Sequence, residues 1–323
     1  MEPKVRMIIL RLFLKRLLQF SITLFCIVTV TFFLMKALPG DPFTEEQAIP
    51  QEILNQLYQY YGLDQPLYKQ YLKYLKGIAC LDLGPSLKYE GRYVNDVIKE
   101  SFPISLSLGL LSLCFSTSFG LVLGTFSAHY KNSWQDRVLT GLIILGISIP
   151  SFVMATFLQY FFALKWNFLP IARWGTISHM ILPALSLGGL PMAYIARLCK
   201  TQVLEVMSQD YIIFAKSKGL TPFQIIQKHV LKNAILPIIT YIGHMSASIL
   251  TGSFVIEKIF GIPGLGFWFV SSIANRDYTM IMGLTIFFSF VVTLMIFLVD
   301  MIYIILDPKI ATRVKQDYES KRL

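Results

Sequence analysis

The sequence predicts an all-α polytopic membrane protein with six transmembrane helices. Three observations carry that reading. Hydrophobic residues make up 54% of the 323 positions and charged residues only 15%, with a mean hydropathy of +0.58. That is too apolar for a soluble domain of this length. Six runs are long and apolar enough to cross a bilayer, at 17–38, 102–128, 138–164, 177–198, 235–255 and 281–306. Lysine and arginine concentrate in alternate connections between those runs, as topology signals do. A net charge of +10 in a soluble chain would suggest nucleic acid. In so apolar a chain it reads as membrane orientation, and no nucleic-acid partner is expected.

The first span follows a basic flank at 1–16 that holds Lys4, Arg6, Arg11, Lys15 and Arg16. A basic start before an apolar run resembles a signal peptide. This run is too long for one and no small-residue cleavage site follows, so it is expected to stay as a retained span. The tail at 307–323 is basic too, as is the loop at 199–234 between the fourth and fifth spans, with Lys200, Lys216, Lys218, Lys228 and Lys232. The short connections expected on the opposite side hold only Lys165 with Arg173, and Lys258 with Arg276. Both termini and the 199–234 loop are therefore expected in the cytoplasm.

The connection at 39–101 is expected outside. Helical spacing at 51–61 (Leu54, Leu57, Tyr58, Tyr61) and at 66–76 (Leu67, Tyr71, Leu72, Leu75) predicts a small helical cap, punctuated by Gly62, Gly77, Gly84 and Gly91. Its tyrosines read as packing or interfacial anchors. Ser101 and Pro103 read as the start of the second span's helix. Pro150 in the third span, and Pro183 and Pro191 in the fourth, each remove a backbone hydrogen bond and permit a kink. Gly109, Gly120 and Gly124 in the second span, and Ala184, Gly188, Gly189 and Ala193 in the fourth, permit close helix contact. After the fifth span, Gly261, Pro263, Gly264 and Gly266 predict a turn, followed by a short helix at 267–273.

The stretch at 211–237 stands out as the longest polar and basic passage of the second half. Residues 211–218 are helical in composition, Gly219 ends that helix, and Thr221-Pro222 starts another, with Thr as N-cap and Pro at N1. Ala215 and Gly219 are four residues apart, so they are expected to share a face almost free of side chains. Two readings stand: a basic loop lying on lipid headgroups, or a docking knob for a cytoplasmic partner.

Several chemistries lack their motifs. No GxxxxGK[ST] loop occurs, so ATP is not expected to bind this chain by that route. No HExxH occurs, the four histidines and four cysteines are scattered, and no metal is expected. Lys36 is near the outer end of the first span and can snorkel. Asp300, within the sixth span, has no evident partner and reads as a structural hydrogen bond to a neighbouring helix. His244, Ser148 and Pro150 are the candidate residues for a substrate path. The competing reading of His244 is a histidine bonded to a backbone carbonyl.

Taken in order, a series of motifs resembles a known family. They are Lys15-Arg16-Leu17-Leu18, Leu38-Pro39-Gly40-Asp41-Pro42, Tyr61-Gly62-Leu63-Asp64-Gln65-Pro66-Leu67 and Asp82-Leu83-Gly84 in the first third of the chain. Gly146-Ile147-Ser148-Ile149-Pro150-Ser151-Phe152 and Gln209-Asp210-Tyr211 follow, then Ala215-Lys216-Ser217-Lys218-Gly219-Leu220 and His229-Val230-Leu231-Lys232-Asn233-Ala234. Glu257, Pro263-Gly264-Leu265-Gly266, Arg276-Asp277-Tyr278 and Leu306-Asp307-Pro308 close the series. The chain resembles the permease subunits of binding-protein-dependent ABC transporters, in the branch for dipeptides, oligopeptides and nickel. Within it, the first permease subunit of oligopeptide and dipeptide importers is the nearest likeness. His229 and Lys232 depart from the general permease motif, where Ile and Pro are usual, and agree with the peptide branch.

The resemblance implies the ABC importer permease fold and an inner-membrane location. It implies that Asp210, Tyr211, Phe214, Ala215, Lys218, Gly219 and Leu220 form a coupling helix seated in a groove of an ATP-hydrolysing subunit. The implied partners are a second homologous permease, two ATPase subunits that bind the ATP and magnesium, an extracytoplasmic peptide-binding protein and the lipid bilayer. The chain itself would be a non-catalytic half of the translocation pathway. A nickel importer of the same family is the alternative and would need imidazole or soft ligands along its path. A stand-alone secondary transporter or channel would favour paired intramembrane charges, which the sequence does not display.

Overall fold

Long apolar helices set the architecture. The computed structural model describes residues 3–38, 43, 50–225 and 230–306. The tail at 307–323, the motif at 39–42 and His229 lie outside the described residues, and the Lys216 and Lys232 side chains are likewise not described. Helix α1 (Pro3–Ala37) is followed by the short α2 (Gln51–Tyr61) and α3 (Leu67–Ala79). Next come α4 (Val94–His129), α5 (Trp134–Ser148) and α6 (Ser151–Leu158), which continues as a π-helix over Gln159–Lys165. The chain proceeds through α7 (Ile177–Met207), α8 (Asp210–Ser217), α9 (Pro222–Ile225) and α10 (Leu231–Leu250), then α11 (Phe254–Phe260), α12 (Leu265–Ala274) and α13 (Tyr278–Leu306).

Four of these helices are long and apolar enough to cross a membrane alone, and two bent pairs bring the number to six. The expected third span is one of the pairs. It is broken rather than kinked, with α5 and the helix from Ser151 to Lys165 meeting at 108°. Pro150 supplies the reason: it has no N–H for the helix ladder, and it drives Ile149 into extended backbone (φ −86°, ψ 119°). The other pair is α10 with α11, bent by 52°, where Gly252 takes a left-handed φ of +86°. Several helices overrun their expected bounds, and α1 begins at Pro3, inside the expected N-terminal flank. α4 begins at Val94, so Ser101 and Pro103 lie within it and do not cap it. α7 continues to Met207 because its last turns (Lys200, Gln202, Glu205) are good helix formers.

The centre of the bundle is the contact between α4 and α7. One flank of α4 is a ladder of small residues, Ser101, Ser105, Ser112, Ser116, Gly120 and Gly124, all buried. A β-carbon on Gly124 would lie 2.5 Å from the Ala196 carbonyl oxygen, and one on Gly120 would lie 2.8 Å from Ile195 Cβ. The two backbones approach that closely only because no side chain intervenes, which in a bilayer supplies the packing that hydrophobic exclusion cannot. α5, α6 and α10 pack on α7, and α1 packs on α13. α1 turns Leu18, Ile22, Phe25, Phe33 and Leu34 outward, an apolar surface that suits lipid contact.

Candidate functional site

At the end of the bundle where α7 terminates, α8 and α9 form an elbow. Ile212 and Ala215 of α8 are buried and pack with Val203 and Val206 of α7, Ile225 of α9, and Val230, Ala234 and Ile238 at the start of α10. The opposite side of α8 carries Tyr211, Ile213 and Phe214, which are 43%, 58% and 62% exposed. Lys218 Nζ lies 4.5 Å from the centre of the Phe214 ring, a cation–π contact at the helix end. Gly219 then takes a left-handed φ of +80°, and among the described residues nothing comes within 4 Å of where its β-carbon would be. Thr221 and Gln224 cap α9 reciprocally: the Gln224 N–H donates to Thr221 Oγ1 at 3.3 Å, and the Thr221 N–H donates to Gln224 Oε1 at 3.0 Å.

The elbow corrects one expectation. Ala215 and Gly219 do not share a bare outer face. α8 stops at Ser217, and the left-handed Gly219 ends the helical register that would have aligned them. Ala215 is 5% exposed because, with Ile212 three residues before it, it forms the inward stripe holding α8 to the bundle. Of the residues singled out here, Asp210, Tyr211, Phe214, Lys218 and Gly219 are exposed, Leu220 is half-buried and Ala215 is part of the core.

The candidate path residues lie on other elements. His244 on α10 is exposed, with Nδ1 2.9 Å from the Thr240 carbonyl. Ser148 ends α5, is exposed, and donates to the Ile144 carbonyl at 2.8 Å. Pro150 occupies the break before α6. The histidine and the serine are each satisfied by their own helix.

Three acidic residues organise the bundle by geometry that sequence reading did not single out chemically. Glu257 is fully buried; Oε1 accepts from Ser105 Oγ at 2.8 Å, and Oε2 accepts from the Phe267 N–H at 3.1 Å. Ser105 Oγ in turn accepts from the Leu265 N–H at 2.9 Å. The carboxylate thus faces the amino end of α12, where free N–H groups and the helix dipole favour an anion. Gly252, Gly264 and Gly266 make room for it: a β-carbon on any of them would fall 2.3–2.9 Å from a Glu257 oxygen. Asp277, also fully buried, does the same for α13, accepting from the Met280 N–H at 3.1 Å, from the Leu87 N–H at 3.2 Å and from Ser86 Oγ.

Asp136, in the first turn of α5, accepts from Lys200 Nζ at 2.6 Å, Ser127 Oγ at 2.5 Å and the Asn132 N–H at 3.1 Å. It ties α4, α5 and α7 together. The readable signals were a run of glycines beside one acid for Glu257, and an Asp directly before a long apolar helix for Asp277. Asp136 and Lys200 are 64 residues apart, and no local pattern pairs them. Asp300 also has a partner that the sequence did not reveal: Arg16 of α1, at 3.1 Å.

A family model described as "Binding-protein-dependent transport system inner membrane component" matches residues 120–312, and its N-terminal companion matches residues 9–109. The chain belongs to this family. Within this family of inner-membrane components it is 48% identical over 300 residues to the dipeptide transport system permease protein DppB of Bacillus subtilis, covering 93% of this chain and 97% of that one. It is 43% identical over 303 residues to the oligopeptide transport system permease protein OppB of Haemophilus influenzae, covering 93% and 99%. The fold is that of an ABC importer permease: a chain of the inward-facing MetNI methionine ABC transporter superposes with a TM-score of 0.56 at 18% identity, covering 65% of this chain and 96% of that one. The permease is a multi-pass component of the inner membrane, and its family name ties it to a substrate-binding protein.

Proposed function

We propose that this permease forms half of the path by which an ATP-driven importer carries dipeptides or oligopeptides across the inner membrane. The dipeptide and oligopeptide permeases it matches at 48% and 43% identity over nearly their whole length favour peptide over nickel as the solute. The other half is a second homologous permease. Two ATPase subunits bind ATP and magnesium and hydrolyse the ATP, and an extracytoplasmic peptide-binding protein delivers the solute. Both termini and the α8–α9 elbow lie in the cytoplasm.

The elbow carries this reading. A firm apolar underside, an exposed Tyr211–Phe214 ridge and an open space over Gly219 suit insertion into a groove of a nucleotide-driven neighbour. The buried contacts of Ile212 and Ala215 would pass its displacement to α7 and α10, which rock between inward and outward arrangements. Gly219→Asn tests it. Asn tolerates the left-handed conformation better than other side chains do, so the backbone is kept while the open space is filled. Uptake of a labelled dipeptide by cells is expected to fall at least about tenfold, a loss of about 1.4 kcal/mol of coupling, with membrane levels unchanged. Wild-type uptake in both Gly219→Asn and Phe214→Ala would remove the docking role. Ala215→Leu is expected to lower permease levels instead, because its side chain enters the core.

A further inference from the structure

A cavity of about 590 Å³ lies at the end of the bundle that carries α2 and α3, and the transport function leaves it unassigned. Phe32 and Lys36 from the last turns of α1 line it, and Met282 from the first turns of α13 faces them. Two of its walls are therefore ends of membrane spans. That places it where hydrocarbon gives way to headgroups.

Its charge is unbalanced. Among the described residues, Lys36, Lys73 and Lys76 line it against a single carboxylate, Asp82, whose Oδ1 already accepts from the Gly84 N–H at 3.0 Å. None of the three lysines belongs to an ion pair among the described residues. Lys73 Nζ lies 3.2 Å from where a β-carbon on Gly62 would sit, so it is held at the carboxyl end of α2, which favours a cation. The Tyr74 hydroxyl in the same wall is buried without a hydrogen-bond partner among the described residues. Burial pushes its pKa upward, so it stays a neutral donor.

We propose that this cavity binds the phosphate headgroup of an anionic phospholipid, with the three ammonium groups around the phosphate. Phe32 and Met282 then face the glycerol and the first methylenes. Free inorganic phosphate offers the same anion but would leave that apolar wall unused. Phe33 and Leu34 of α1, next to Phe32, and Leu38 just after that helix are exposed and give acyl chains a surface leading into the bilayer. The site rests on the bilayer placement of α1 and α13 and is independent of which solute is carried. Its failure would leave the peptide reading untouched.

The experiment uses the full-length permease, co-purified with its partner subunits and incubated with phosphatidylglycerol or phosphatidylcholine. Native mass spectrometry counts the retained lipid. Each lysine beside an anionic headgroup is worth about fivefold in affinity, so Lys73→Gln with Lys76→Gln is expected to cost about 25-fold in phosphatidylglycerol retention, leaving phosphatidylcholine unchanged. Lys73→Arg with Lys76→Arg is expected to retain the lipid. Should the double glutamine variant fold poorly, Lys76→Gln alone, on an exposed side chain, reads the same effect at about fivefold. Equal retention by wild type and the glutamine variants, or equal retention of the two lipids by wild type, would overturn the site. Inorganic phosphate protecting the wild type from thermal unfolding as well as phosphatidylglycerol does would overturn the lipid assignment in favour of a free anion.

Discussion

Asp136→Ala should be among the most damaging single changes in this chain, although no sequence motif marks it. The carboxylate is 7% exposed. It accepts from Lys200, Ser127 and the Asn132 N–H at 2.5–3.1 Å, and more weakly from Thr140 Oγ1 at 3.4 Å. Removing it strands the Lys200 ammonium, whose side chain is 20% exposed, and leaves three other donors short of an acceptor. Breaking a buried ion pair from one side costs about 3–5 kcal/mol. Lys200 keeps its bond to Thr140 Oγ1 at 2.8 Å and has a route to the surface, so the low end, about 3 kcal/mol, applies. At about 2–4 °C per kcal/mol for chains of this class, the melting temperature of the detergent-purified complex should drop by about 6–12 °C. Lys200→Met should cost less, about 2 kcal/mol, because Asp136 retains its hydroxyl and N–H donors. The decisive measurement is the double variant. If the pair acts as a unit, Asp136→Ala with Lys200→Met is milder than the sum of the two by about 1–2 kcal/mol. Additive losses, or an Asp136→Ala protein that melts with the wild type, would refute the assignment of this pair as the tie between α5 and α7.

Two other expectations follow from the same geometry. Glu257→Ala leaves Ser105 Oγ and the Phe267 N–H without their acceptor and should cost about 2–4 kcal/mol; Glu257→Gln, which keeps one acceptor oxygen, should cost about half as much, and thermal unfolding that fails to separate the two would contradict the capping role at α12. Gly124→Ala pushes a methyl group to 2.5 Å from the Ala196 carbonyl oxygen and should cost about 1–3 kcal/mol by overpacking; Gly141→Ala, with open space around it, is the control and should leave the melting temperature of the purified complex unchanged.

The parts of the fold that follow from local pattern were legible in the chain. Helical spacing at 51–61 and 66–76 fell on α2 and α3, and glycines at 120 and 124 foretold a close approach of helices. At the elbow, Thr221 and Gln224 cap as their types dictate. What misled was the four-residue spacing that put Ala215 and Gly219 on one face: the helix stops at Ser217 and Gly219 is left-handed, so Ala215 lies in the core and Gly219 at the surface. Pro150 marked a break but not its size, since a missing N–H permits a bend whose angle the neighbouring helices set.

Composition and the length of the apolar runs were enough by themselves to indicate an all-helical membrane chain with up to six crossings, because the bilayer requires every backbone group to be bonded within its own apolar segment. The order of its motifs was enough to indicate the permease family. Only the tertiary structure decided which charges meet. Asp136 with Lys200, Asp300 with Arg16, and Glu257 with Ser105 and the amino end of α12 join positions from 10 to 284 residues apart. Those pairings follow from how the helices pack, and no periodicity along the chain encodes them.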